Sequence, residues 1–167
     1  MEAVSDLREV VMRVQDVMCR PVVTCTEGTS LPAAARLMRE NDCGVLPVMR
    51  EGRLAGVVTD RDLCIAIATK PRSPIDATVK EAMSQSVATC LATDEVASAL
   101  VTMGERRVRR LPVLDAKGQM VGILSLDDVV LRAEETAPGG ARPAIAFGDV
   151  VRTFRSIAGA RPIRRSA

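Results

Sequence analysis

The chain has 167 residues, a length that holds one domain-sized object, and 47% of them are apolar, yet there are two Phe and neither Trp nor Tyr. Its core must be built from Val, Leu, Ile, Ala and Met, and it has no aromatic platform on which nucleic-acid bases could stack. The absence of His excludes Cys-His zinc sites, Ser-His hydrolysis and imidazole proton shuttles, while the net charge of +2 is uneven, with six Arg against Asp149 alone in residues 141–167 and about −3 left for the first 140 residues.

At the N-terminus Val4, Leu7, Val11 and Val14 are roughly one-sided and predict a helix over 4–14. Glu2, Asp6, Arg8 and Glu9 interrupt any secretory apolar region, and no run of about 18 apolar residues follows, so the expectation is a cytoplasmic protein without a membrane span. A strand is predicted to end at Val22-Val23-Thr24, being β-branched and following Pro21. Leu31, Ala34, Ala35 and Met38, at i, i+3, i+4 and i+7, predict a helix. Val45 to Met49 and Leu54 to Val58 are apolar runs joined by the hairpin connection Arg50-Glu51-Gly52-Arg53. Pro47 lacks a ladder donor, which predicts an edge strand or an interrupted sheet. A short helix starts at Asp60, and Thr69-Lys70-Pro71-Arg72-Ser73-Pro74 reads as a linker.

The order then repeats at an offset of 65, rising to 66 after one insertion. Val87-Ala88-Thr89 matches the first strand, and Val96, Ala99, Leu100 and Met103 match the helical face. Leu111 to Leu114 and Met120 to Leu124 flank Asp115-Ala116-Lys117-Gly118-Gln119, and a short helix begins at Leu126. Each copy is therefore β-α-β-β-α, and two copies packed face to face would create two related clefts. Beyond Pro138-Gly139-Gly140, residues Phe147, Val150, Val151, Phe154 and Ala158 form one face of a helix around 144–158, expected to cover the module or its dimer mate. The end, Arg161 to Arg165, is expected to be disordered. The five cysteines, Cys19, Cys25, Cys43, Cys64 and Cys90, contain no C-x-x-C spacing and read as reduced, mostly buried small hydrophobes.

The chemistry lies where the last strand of each copy runs into its closing helix. Gly56-Val57-Val58-Thr59-Asp60-Arg61-Asp62 and Gly122-Ile123-Leu124-Ser125-Leu126-Asp127-Asp128 share the pattern Gly-h-h-[Ser/Thr]-x-x-Asp. A hydroxyl and unpaired N–H groups at a helix start suit a phosphate, and a carboxylate one turn on suits a ribose diol. The same spacing approximates a capping box, in which hydroxyl and acid only satisfy the helix start. The spacing alone leaves both readings open.

With Val14 to Met18 and Val79 to Met83 as matching openings, and Leu46-Pro47-Val48 and Leu111-Pro112-Val113 at the centre, the twice-repeated order resembles a tandem pair of cystathionine-β-synthase (CBS) domains, the Bateman module. The resemblance implies two β-α-β-β-α CBS units, a mixed α/β fold packed sheet to sheet about a pseudo-twofold axis, at 14–68 and 78–134. A linker at 69–77, an extension at 1–13 and an Arg-rich extension at 135–167 complete the chain. It also implies clefts for adenosine-type ligands, AMP, ADP, ATP or S-adenosylmethionine. Thr59 with Asp62, and Ser125 with Asp128, would meet phosphate and ribose, while Val22, Val23 and Thr24, and Val87, Ala88 and Thr89, would hold adenine.

Arg61 stands where the second motif has Asp127, so the first cleft is expected to prefer phosphorylated ligands and the second to be weaker, empty or suited to a less anionic adenosyl ligand. The resulting expectation is a stand-alone regulatory homodimer, not an enzyme, that signals nucleotide binding to a partner protein. The alternatives are a ligand-free structural dimerisation or stress protein and a weak nucleic-acid binder acting through the basic tail. Arg106-Arg107-Val108-Arg109-Arg110 reads as solvated surface or as a contact to phosphate or a dimer partner.

Overall fold

The computed structural model describes residues 11–69, 73, 75–135 and 143–159. The helix expected over 4–14, most of the linker and the Arg161–Arg165 end fall largely or wholly outside these residues. Two three-stranded sheets form, of order β1-β2-β3 and β4-β5-β6. They comprise β1 (Cys25–Thr26), β2 (Val45–Arg50), β3 (Arg53–Thr59), β4 (Cys90–Leu91), β5 (Arg110–Leu114) and β6 (Met120–Ser125). Helices α1 (Leu31–Glu40), α2 (Asp60–Thr69), α3 (Val96–Arg106) and α4 (Leu126–Val130) alternate with them, and α5 (Phe147–Ala158) follows. The β-α-β-β-α order thus occurs twice. No helix among the described residues is long and apolar enough to cross a membrane.

The first strand of each copy starts later than its β-branched run suggested. Val22 to Thr24 and Val87 to Thr89 are the approach, and the ladder begins at Cys25 and Cys90, paired in parallel with Val48 and Val113. Helix α1 starts at Ser30, whose hydroxyl accepts the Ala33 N–H at 3.4 Å, with Pro32 in the first turn. It buries Leu31, Ala34 and Met38 but leaves Ala35 exposed, whereas α3 buries all four expected residues, Val96, Ala99, Leu100 and Met103. The β2–β3 hairpin turns through Glu51 (φ 50°) and Gly52 (φ 75°), the left-handed pair that a two-residue connection between twisted strands favours.

Pro47 does not sit on an edge strand. It lies in β2, the middle strand of its sheet, opposite Val57. Val57 directs both its N–H and its carbonyl to Ser84, so this pair exchanges no ladder bonds and the Pro47 nitrogen faces the β1 side. Strand β1 pairs only with Val48 and Met49, so the missing donor breaks no bond.

Contacts divide the chain into two compact units. One holds Pro21–Val87 with Ala116–Val121; the other holds the described residues up to Arg20, Ala88–Asp115 and those from Gly122 onward. The opening segment of each copy therefore packs on the sheet of the other copy. In the first-sheet unit, Val79 N–H donates to Thr29 and Ser84 pairs with Val57 in both directions, at 2.9 and 3.0 Å. In the second-sheet unit, Val14 N–H donates to Asp94 and Cys19 pairs with Ile123 at 2.9 and 3.1 Å.

These bridges explain the glycine that opens each closing motif. A Cβ on Gly56 would stand 2.8 Å from the Ser84 carbonyl oxygen, and one on Gly122 would meet the Met18 sulfur and lie 3.2 Å from the Cys19 carbonyl oxygen. Val14 and Val79 plug the two cores, fully buried as are Leu46, Val48, Val58, Leu111, Val113 and Leu124.

Helix α5 packs on α3 along one edge of the expected face, through Val150 and the neighbouring Thr153. Val150 and Thr153 are buried, with the Thr153 hydroxyl donating to the Leu100 carbonyl at 3.3 Å, while Phe147, Val151 and Phe154 stay about half exposed. Those three side chains line an open groove of about 450 Å³ with Leu126 and Val130.

Candidate functional site

Each closing motif is a strand-to-helix junction that the preceding hairpin carries into place. In the first, Thr59 ends β3 and Asp62 lies in the first turn of α2. The Thr59 N–H and hydroxyl both donate to Asp62 Oδ2, at 2.9 and 2.7 Å, and the Asp62 N–H donates back to the hydroxyl oxygen at 3.2 Å. In the second, the Ser125 N–H and hydroxyl donate to Asp128 Oδ2 at 3.0 and 2.5 Å, and the Asp128 N–H returns to the Ser125 hydroxyl at 3.0 Å. Both junctions are thus complete capping boxes. The hydroxyl protons point to the carboxylates, so either hydroxyl must turn before it can donate to a phosphate.

The cap does not exhaust the acid. An ionised carboxylate offers about four lone-pair positions, two on each oxygen. At Asp62 both bonds fall on Oδ2, and among the described residues Oδ1 has no hydrogen-bond partner. The cap therefore fixes the orientation of Asp62 and presents one oxygen with two acceptor positions, the number that a vicinal diol requires. All four members of the two motifs, Thr59, Asp62, Ser125 and Asp128, are part-buried.

The two junctions differ in what surrounds them. Arg61, in the first turn of α2 between Asp60 and Asp62, is exposed, and its backbone N–H donates to Asp60 Oδ1 at 2.7 Å. Its counterpart Asp127 is exposed and pairs with Arg110 at 3.7 Å. Asp128 also accepts a bond that sequence reasoning missed: the Cys19 thiol donates to Oδ1 at 3.3 Å. Burial raises the Cys19 pKa above its ordinary value, and the bond to Asp128 and that carboxylate's charge raise it further, against a lowering by Arg132. The signal available in the sequence was that the opening segment recurs with the motif; the 109-residue separation of Cys19 and Asp128 hid their contact.

Val22, Val23 and Thr24 lie in the same unit as Thr59, Arg61 and Asp62, with Val23 packed on the core and Thr24 exposed. Ala88 and Thr89 share the other unit with Ser125 and Asp128, whereas Val87 belongs with the first group. In the Arg106–Arg110 run every arginine is exposed, and Arg107 ends α3 in the left-handed conformation (φ 56°). Of the five cysteines expected to be mostly buried, Cys25 and Cys90 are buried, Cys43 is partly so, and Cys19 and Cys64 are exposed; burial pushes the Cys25 and Cys90 thiols up to about 11 and about 12, which suits packing and opposes thiolate chemistry at those two.

The protein-family model described as CBS domain matches residues 14–69 and 79–135. Hypoxic response protein 1 of Mycobacterium tuberculosis is 35% identical over 124 residues, covering 74% of this chain and 86% of that protein. The matched stretch spans 60% of the length of one other curated relative and 24% of another. Among solved structures, the CBS domain pair of protein MJ0100, in complex with 5′-methylthioadenosine and S-adenosyl-L-methionine, superposes with a TM-score of 0.66 at 25% identity, covering 72% of this chain and 94% of that one. CBSX2 in complex with AMP gives a TM-score of 0.61 at 28% identity over 71% and 93% of the two chains.

Proposed function

Because this chain belongs to the CBS domain family, we propose that it is a regulatory CBS-pair module that binds adenosine-type ligands at its two closing motifs and signals their occupancy to a partner protein. The observation that carries this reading is the Asp62 carboxylate, locked by Thr59 through one oxygen and open at the other. A ribose diol would occupy Oδ1, and Arg61 would meet the phosphate of AMP, ADP or ATP. S-adenosylmethionine, which carries no phosphate, would suit the Ser125/Asp128 junction beside Asp127. That relatives of the same fold are complexed with AMP, 5′-methylthioadenosine and S-adenosyl-L-methionine supports the ligand class. The protein would act as a homodimer in the cytoplasm, and the half-exposed Phe147, Val151 and Phe154 favour burial against a mate.

Binding would be read as stabilisation. A ligand at a hundredfold excess over its Kd adds about 2.7 kcal/mol to the folded state. Thermal melts with AMP, ADP, ATP and S-adenosylmethionine should show an upward shift for at least one, reduced in Asp62→Ala. No shift with any of the four would leave the second reading, a ligand-free scaffold. The observation in favour of that reading is that both hydroxyl–acid pairs already cap their helices.

A further inference from the structure

We infer that Cys19 is a specificity-determining residue of the Ser125/Asp128 junction, whose thiol holds the acceptor oxygen that a ribose diol needs there. This rests on the adenosine-ligand reading and goes beyond it. The two acids differ in how many acceptor positions they keep open. Asp128 Oδ2 is filled by the Ser125 N–H and hydroxyl, and Oδ1 by the Cys19 thiol, so one position remains for a ligand that has two hydroxyls to place. Asp62 keeps two. The copies are otherwise alike at this point: Ser84 occupies the place of Cys19, with the same two-way backbone bridge to the last strand, and no bond from its hydroxyl reaches Asp62 among the described residues.

Cys19 is exposed, but its backbone bridge to Ile123, at 2.9 and 3.1 Å, holds the residue beside Asp128 and so limits what the thiol must do to reach the acid. Arg132 lies at the same place, its guanidinium donating to the Asp16 carbonyl at 3.1 Å, and it is the nearby cation that opposes Asp128 in setting the thiol's acidity. The thiol is a weak donor, which makes it displaceable: a ligand can take its place at a cost, so the second junction is weakened and not closed. Adenosyl ligands that make one bond to the acid, or that recruit other contacts, lose less at this junction than those requiring both.

The test is calorimetric titration of the full chain with AMP. In an Asp62→Ala background, where only the second junction remains, Cys19→Ala should raise AMP affinity about three- to tenfold, the range for loss of one ordinary competing hydrogen bond, the thiol being too weak a donor to reach the larger range of bonds to charged groups. In an Asp128→Ala background the same change should leave affinity as it was. AMP binding that ignores Cys19→Ala in the Asp62→Ala background overturns the inference while leaving the ligand reading intact; absence of AMP binding to the wild type and every variant overturns both. A ligand-free measurement is independent of AMP: Asp128→Asn should shift the pH profile of Cys19 alkylation by iodoacetamide, located by peptide mass spectrometry, to lower pH, because the carboxylate that raises the thiol pKa is gone. An unshifted profile would show that the thiol does not engage Asp128 and would sink the inference.

Discussion

The two closing motifs are the same machine in different surroundings. Each ends a strand on a hydroxyl, caps a helix with an acid and leans on an opening segment supplied by the other copy. The first adds Arg61 and an open Asp62 oxygen; the second adds Asp127 and a thiol on the matching oxygen. What duplicates is therefore the scaffold, fixed by burial and backbone pairing, while what diverges is the decoration that a ligand would touch.

The largest expected effect tests the shared scaffold at its tightest point. Gly56→Ala sets a methyl against the backbone oxygen of Ser84, whereas Gly122→Ala presses mainly on the flexible Met18 side chain. Overpacking of this kind costs about 1–3 kcal/mol, so Gly56→Ala should sit at the top of that range and Gly122→Ala near the bottom in denaturant melts. Equal losses would mean that the two bridges are equally rigid.

A smaller effect separates cap from site. Asp62→Ala and Asp128→Ala each remove a comparable capping box, so each should lower stability by about 1 kcal/mol, Asp128→Ala slightly more because it also loses the bond from the exposed Cys19 thiol. Similar stability losses with dissimilar ligand affinities would confirm that the junctions differ only in decoration. Below these in size, exchanging the flanking charges by Arg61→Asp or Asp127→Arg should weaken or strengthen ATP binding at the corresponding junction by a few fold, an effect that fades as salt rises. ATP affinities that do not respond would remove Arg61 from the account.

The smallest effect concerns a pair present in one copy alone. Arg50 bonds Glu27 through two nitrogens, with Nε to Oε2 at 2.7 Å, where the second copy has Asp115 and Ala92. This bond holds the Glu27 pKa below its ordinary value of 4.5, so its contribution is present above that value and lost as pH falls through the lowered one. Glu27→Gln should therefore flatten the acid side of the stability curve slightly. Arg50 is exposed and Glu27 only partly so, and an unchanged curve would show that water screens the pair fully.

Much of this was legible in the sequence because it is local. The apolar spacing of α1 and α3, the Gly-containing hairpin, the helix starts at Asp60 and Leu126 and the duplication itself are all recorded within windows of a few residues. The exchange of opening segments was not, since Val14 pairs with residues about 80 positions away and no periodicity marks such a partner. The same is true of the Cys19 thiol. Pro47 misled because edge position was inferred from a missing donor, and a middle strand with a short neighbour meets that requirement equally well. On α5 the apolar stripe was read correctly as a stripe, but Val150 and Thr153 seat the helix, because close approach to α3 at Gly104 admits the small Ser156 and the short Thr153 more readily than a Phe.

The most direct measurement is a pair of AMP titrations by calorimetry, one on Asp62→Ala and one on Asp128→Ala, set beside the wild type. The account predicts that the stronger site vanishes in Asp62→Ala and survives in Asp128→Ala. Equal loss in the two variants, or heats unchanged by either, would contradict it.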